Sequence, residues 1–187
     1  MAALTAAGIA AVGTREPGDA AGAEDIRGLL LNGAPERWDA ISEALLMVAA
    51  RRCHLVETVR PALDKGSYVV CDRFVDSTTA YQGYAGGVPL QRLAELHNLI
   101  AADFVPDLTI ILDLPVEQGL ARAAQRRGGE TRFESKATEF HARVRQGFLT
   151  IAGQEPNRCA VIDATQGIDA VTASLLAVVS TRLGLKL

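Results

Sequence analysis

The chain has 187 residues, 49% of them apolar and 22% charged, and a net charge of -3. That length suits one well-buried domain, and that balance excludes a disordered chain. The weak negative charge offers no bulk attraction to nucleic acid or to a membrane surface, so an anion site must be a local group of arginines.

In chain order, residues 2–7 read as the last turns of a helix and run directly into a strand at 9–13. Helical spacing follows at 24–31 and over a long stretch, 38–63, with Ile41, Leu45, Val48 and Leu55 on one face. Gly66-Ser67 breaks that helix before a strand at 68–71. Further helices read at 90–104, 116–126, 135–151 and 168–183, with strands at 108–113 and 160–163. Pro115 suits the first turn of a helix. Strands alternating with helices imply βαβ units and a mostly parallel, three-layer α/β fold. No repeat, low-complexity tract or linker divides residues 1–187, which read as one domain.

A sheet of this kind normally opens with a strand, a loop and a helix. The expectation is therefore that an element, including the central strand, stands before Met1. No apolar stretch is long enough to span a bilayer, and the apolar start lacks the basic region of a signal peptide. Cys53, Cys71 and Cys159 share no metal-ligand spacing and read as reduced thiols of a cytoplasmic protein. No metal constellation is expected, and His54, His97 and His141 read as structural.

Chemistry-bearing residues gather at strand ends, where open α/β sheets bind ligands. Thr14-Arg15-Glu16-Pro17-Gly18 leaves the first strand as a fixed loop facing that crevice, or as a plain turn, with Arg15 its cation. Asp72-Arg73 ends the second strand. The arginine offers a fork to phosphate oxygens, and the acid is placed to orient it or to hold metal-bound water. A hydroxyl-rich run, Asp76-Ser77-Thr78-Thr79, leads to Tyr81-Gln82-Gly83. Arg27 on the first long helix suits a phosphate or bare solvent. One of Arg51 and Arg52 turns inward, which requires an anionic partner, or both snorkel. Arg122, Arg126, Arg127 and Arg132 flank Gly128-Gly129, as a mobile phosphate lid or a solvated basic loop. Asp163-Ala164-Thr165-Gln166 suits backbone contact with a nucleobase, or a helix start with Thr165 as N-cap.

Together these segments resemble bacterial thymidylate kinase: TREPG at Thr14, EDIRGLLL at Glu24, ALLMVAARR at Ala44, RPAL at Arg60, CDRFVDSTTAYQGY at Cys71, DFVPDLTIILDLP at Asp103, RRGGETRFE at Arg126 and VIDATQ at Val161. The likeness implies a P-loop-kinase-like fold and transfer of the γ-phosphoryl of ATP to dTMP with Mg²⁺, giving dTDP on the way to dTTP. It implies that Arg27, Arg52 and Arg73 hold the dTMP phosphate and base region, with Arg15 nearby. It further implies that Thr78 and Gln82 meet thymine and that Tyr81 lies by the sugar. Arg126, Arg127 and Arg132 would form the lid, with Arg126 against adenine beside Ala164 and Thr165. Asp72, Arg73 and the lid arginines would carry catalysis. The resemblance implies a homodimer, binding neither nucleic acid nor membrane.

The chain departs from that pattern in two main ways. It contains no Gly-x-x-Gly-x-Gly-Lys followed by Ser or Thr, the loop that cradles ATP phosphates and whose hydroxyl binds Mg²⁺. Val48 occupies the position read as the family's thymine-stacking Phe in Phe-Ala-Ala-x-Arg. Gly86 and Asp19 replace an Arg and a Gly. Two functions fit: a dTMP kinase, or a catalytically dead relative that binds dTMP or serves as an interaction module.

Overall fold

The computed structural model describes residues 1–102, 104–125 and 132–187. After a short helix α1 (Ala2–Ala6), strand β1 (Ala11–Arg15) leads to α2 (Ala21–Leu31) and α3 (Ala40–His54). The Asp39 carboxylate caps α3 by accepting the Ser42 N–H at 2.7 Å. The helical path continues through a wider π stretch (Leu55–Val59) into α4 (Arg60–Asp64). Strand β2 (Tyr68–Asp72) then feeds α5 (Val75–Thr78) and a second π stretch (Thr79–Ala85). Helix α6 (Leu90–Ala101), β3 (Thr109–Asp113), α7 (Val116–Ala124), α8 (Thr138–Gln154), β4 (Cys159–Asp163) and α9 (Ile168–Leu183) complete the order.

The β-branched runs form strands, and all described pairs are parallel, as the alternation of elements requires. β1 pairs with β2 from Ala11 opposite Tyr68 to Arg15 opposite Asp72. β3 pairs with β4 from Thr109 opposite Cys159 to Asp113 opposite Asp163. Hydrogen bonding thus groups the strands into two pairs, where the sequence pattern implied one sheet. The inner edges are readable from strand parity. Tyr68 N–H donates to Ala10 and Asp72 C=O accepts from Glu16, so Val69 and Cys71 point their backbone groups away from β1. Likewise Thr109 and Asp113 bond toward β4, leaving Ile110 and Leu112 pointing away. These four residues line one cavity of about 1150 Å³ between the pairs.

Two larger apolar clusters hold the elements. Phe140, Val144 and Ile151 of α8 pack with Ala80, Ala85, Ile111 and Cys159. Leu55 and Val59 pack with Phe74 and Ala101. The residues 75–85, which read as a polar segment, form a continuous helical arm against α8. Of the four residues assigned to one face of the long helix, Val48 and Leu55 are buried. Ile41 and Leu45 stay exposed, at 60% and 51%.

Candidate functional site

At the carboxyl end of β1 the loop closes on itself. Asp19 adopts φ +55°, a region that Gly favours and Asp tolerates. Its carboxylate accepts from the Thr14 hydroxyl and the Arg15 N–H, each at 2.9 Å, which holds the loop where the family pattern has glycine. Gly18 takes φ +143°, where a side chain is strained, and a Cβ there would stand 2.6 Å from Glu24 Oε1 and force that carboxylate to shift.

Glu16 turns from this loop into the interior, 6% exposed. Its two oxygens split between partners on α3: Arg51 Nε donates to Oε2 at 2.8 Å, and His54 Nδ1 lies 3.0 Å from Oε1. His54 Nε2 is 2.7 Å from the Thr14 hydroxyl. Arg51 is 2% exposed; its Nη2 donates to Thr78 Oγ1 at 3.0 Å, and its guanidinium lies 5.0 Å from the Phe74 ring centroid. Its remaining nitrogen, Nη1, is buried without a hydrogen-bond partner. Arg51 is thus held by Glu16 and Thr78, with one buried nitrogen left without a partner.

One helical turn beyond Thr78, Gln82 is 1% exposed and its Nε2 donates to Glu43 Oε2 at 3.0 Å. Its carbonyl Oε1 is buried and unpartnered. Glu43 and Arg51 share a face of α3, since residues spaced by four line up along a helix. The arm carrying Thr78 and Gln82 faces that stripe. Two interior groups therefore lack a partner here: a donor, Arg51 Nη1, and an acceptor, Gln82 Oε1.

The expected site residues divide. Thr78 and Gln82 come together with the α3 stripe. Tyr81 packs edge-on against Phe133, Phe140 and Phe148, and Arg73 lies 5.2 Å from its ring centroid. Arg73 takes φ +69° at the end of β2, next to an exposed Asp72. Arg27 Nη1 donates to the Pro17 carbonyl at 2.6 Å and so reaches the β1 loop. Arg15 instead pairs with Asp19 at 2.8 Å and Glu24 at 2.7 Å on the exposed side of that loop.

Four expectations need correction. Arg52 does not enter the site: it is exposed and donates to the Ile100 carbonyl, because the next position along a helix turns about 100° away from Arg51. With Arg51 the inward arginine, the residue four before it is Met47; Val48, 6% exposed, belongs to the core. Arg132 is no lid cation among the described residues. It is 1% exposed and donates to the carbonyls of Leu30, Ala34, Pro35 and Trp38 and to Glu43 Oε1 at 2.6 Å. A guanidinium bonded through all three of its nitrogens staples the connection between α2 and α3. Thr165 does not cap α9, whose N-cap is Gly167; its N–H and hydroxyl both donate to Asp163 Oδ1. Those bonds hold the Asp163 carboxyl below its usual range. The Ala164 carbonyl accepts from Arg122. Arg126 and Arg127 lie outside the described residues.

Sequence reasoning missed Glu16 and Glu43 as site-builders. The available signal was a lone acid in an otherwise apolar helical run, Ala40-Ile41-Ser42-Glu43-Ala44-Leu45-Leu46, which pattern alone leaves ambiguous. Cys71 is no activated thiol, since burial and then the nearby carboxylates push its pKa up. Among the described residues no three His, Cys, Asp or Glu side chains converge on a metal site. No helix there is long and apolar enough to cross a membrane.

Comparison with known proteins agrees with this geometry. The profile of the family described as "Thymidylate kinase" matches residues 1–175. Thymidylate kinase of Caulobacter vibrioides is 54% identical over 182 residues, covering 97% of this chain and 87% of that protein. That of Rhodopseudomonas palustris strain TIE-1 is 51% identical over 173 residues, covering 91% and 75%. Among solved structures, thymidylate kinase from Ehrlichia chaffeensis superposes with a TM-score of 0.70 at 36% identity, over 90% of this chain and 79% of that one. The match spans both the loop after β1 and the paired helices that carry Arg51 and Gln82, and by it the chain belongs to the thymidylate kinase family.

Proposed function

We propose that these residues build the dTMP side of the kinase: the base lodges between α3 and the 75–85 arm, and the phosphate lies toward Arg73 and Arg27. By family the chain is a nucleoside monophosphate kinase that uses ATP as donor. One observation carries the acceptor assignment. Where α3 meets the 75–85 arm, the unpartnered interior groups are one donor on Arg51 and one acceptor on Gln82. A thymine edge, with its C4 carbonyl beside its N3–H, supplies the complement of each. Leaving both unmet is costly in an interior, so a ligand that meets both gains selectively. Thr78, already bonded to Arg51, fixes the guanidinium against rotation. Tyr81, walled by three phenylalanines, is our candidate for the sugar side.

The donor side is thinner. The 187 residues contain no Gly-x-x-Gly-x-Gly-Lys loop, the element that would supply the donor-phosphate cradle and a hydroxyl for Mg²⁺. Arg126 and Arg127 remain our candidates for the phosphate lid, with Ala164 and Thr165 by the nucleobase. Asp72 is placed to orient Arg73. The protein works as one domain, as a cytoplasmic homodimer. Its three unpaired cysteines and the exposed Ile41 and Leu45 of α3 support that setting.

Calorimetric titration tests the acceptor site. The chain is expected to bind dTMP well and dCMP far more weakly, and Arg51→Met to weaken dTMP about 10- to 100-fold, the worth of a charged hydrogen bond. Equal binding of the two nucleotides, or of neither, defeats the reading. A coupled ADP-release assay with ATP, Mg²⁺ and dTMP reads the donor side. We expect binding without turnover from residues 1–187 alone; turnover would show that donor phosphates are held without the lysine-bearing loop.

A further inference from the structure

We infer that Glu43 sets the polarity of the base pocket and thereby selects pyrimidines with an N3–H over those with a bare N3. The inference rests on the reading that Arg51 and Gln82 meet the base. A glutamine amide presents nitrogen on one side and oxygen on the other, and its orientation is decided by its partners. Glu43 is 2% exposed. Its Oε1 accepts from Arg132 Nη2 at 2.6 Å and Lys136 Nζ at 3.2 Å, and its Oε2 accepts from Gln82 Nε2 at 3.0 Å. Three donors point at its two oxygens, two of them cationic, and a carboxylate can only accept from them. It therefore commands the nitrogen end of Gln82 and turns Oε1 away, where it is buried and unpartnered.

The consequence is chemical. Gln82 can offer the base an acceptor, and Arg51 Nη1 a donor. Thymine and uracil match both. Cytosine mismatches both, since its N3 accepts and its 4-amino group donates. Glu43 touches no base; it is a positioning residue acting through Gln82. Arg132, the second ligand of the carboxylate, also holds four carbonyls between residues 30 and 38, so the connection of α2 to α3 is tied to the same choice.

The test compares dTMP and dCMP binding to the full chain and to Glu43→Gln by calorimetry. A neutral amide at 43 can donate to Gln82 Oε1 and let Gln82 turn over. The expected result is weaker dTMP binding and a dTMP-over-dCMP preference narrowed about tenfold, one hydrogen bond's worth. A purely structural role would weaken both nucleotides alike and leave the ratio unchanged, which overturns the inference. Should the variant not fold, nuclear magnetic resonance of the unmodified chain decides. The Gln82 side-chain amide protons are expected to exchange slowly before and after dTMP is added; free exchange before addition overturns the inference. If the unmodified chain does not prefer dTMP, the base-pocket reading fails instead, and the two failures are distinct.

Discussion

A buried guanidinium must send its charge somewhere, and Arg51 sends it to Glu16. Breaking such a pair from the acid side strands the arginine in the interior, which costs about 3–5 kcal/mol. Glu16→Ala is accordingly expected to lose that much stability in urea titration, well above an exposed-pair change such as Glu95→Ala on α6. His97 supplies a second test. Its Nε2 lies 2.8 Å from the Phe104 carbonyl and its Nδ1 is buried without a partner, so burial holds its pKa below the ordinary imidazole value. The folded state thus binds fewer protons than the unfolded state once pH drops below the unfolded value. The contribution of His97 is intact at neutral pH and is lost as pH falls from about 6.5 toward the lower folded value. Melting temperatures across that window should fall, and the fall should be shallower in His97→Gln.

At the scale of elements, the arm at residues 75–85 and helix α8 press together until no side chain fits between them. A Cβ on Gly147 would stand 2.9 Å from Tyr84 Cβ and 3.0 Å from its ring atoms Cγ and Cδ2. Gly147→Ala is expected to cost about 1–3 kcal/mol of stability by overpacking, measurable by thermal or urea unfolding. Helix 168–183 and the strand runs were legible because period and β-branching agree over their length. The arm at 75–85 was not. Its hydroxyls and amide face inward to Arg51 and Glu43, so the segment looks polar where it is buried. Asp76, 7% exposed, shows the same inversion, gripped by Nη1 and Nη2 of Arg158 at 2.8 and 2.7 Å. The long helix failed in the opposite sense: Ile41 and Leu45 satisfy the apolar period yet face outward.

For the whole molecule, the two strand pairs matter most. Each presents an inner edge, Val69 and Cys71 on one side and Ile110 and Leu112 on the other, to a cavity of about 1150 Å³. Helix α9 adds an apolar surface, with Ile168 at 81% exposure. Unpaired edges beside exposed apolar groups favour association. The weight-average mass that light scattering gives for residues 1–187 should therefore rise with concentration. A monodisperse sample with a sharp, reversible melt would contradict this.

Residue types in order were enough to determine the α/β class, the parallel strands, the family resemblance and the cluster of arginines, because periodicity and motif spacing are local properties of a chain. Which arginine turns inward, that Arg132 is a staple, and that two carboxylates orient Arg51 and Gln82 were decided only by the tertiary structure. These choices join residues 35 to 102 positions apart, such as Glu16 with Arg51 and Leu30 with Arg132. A buried charge is stabilised by whichever partner packing brings within hydrogen-bond reach, and no local pattern records that distance.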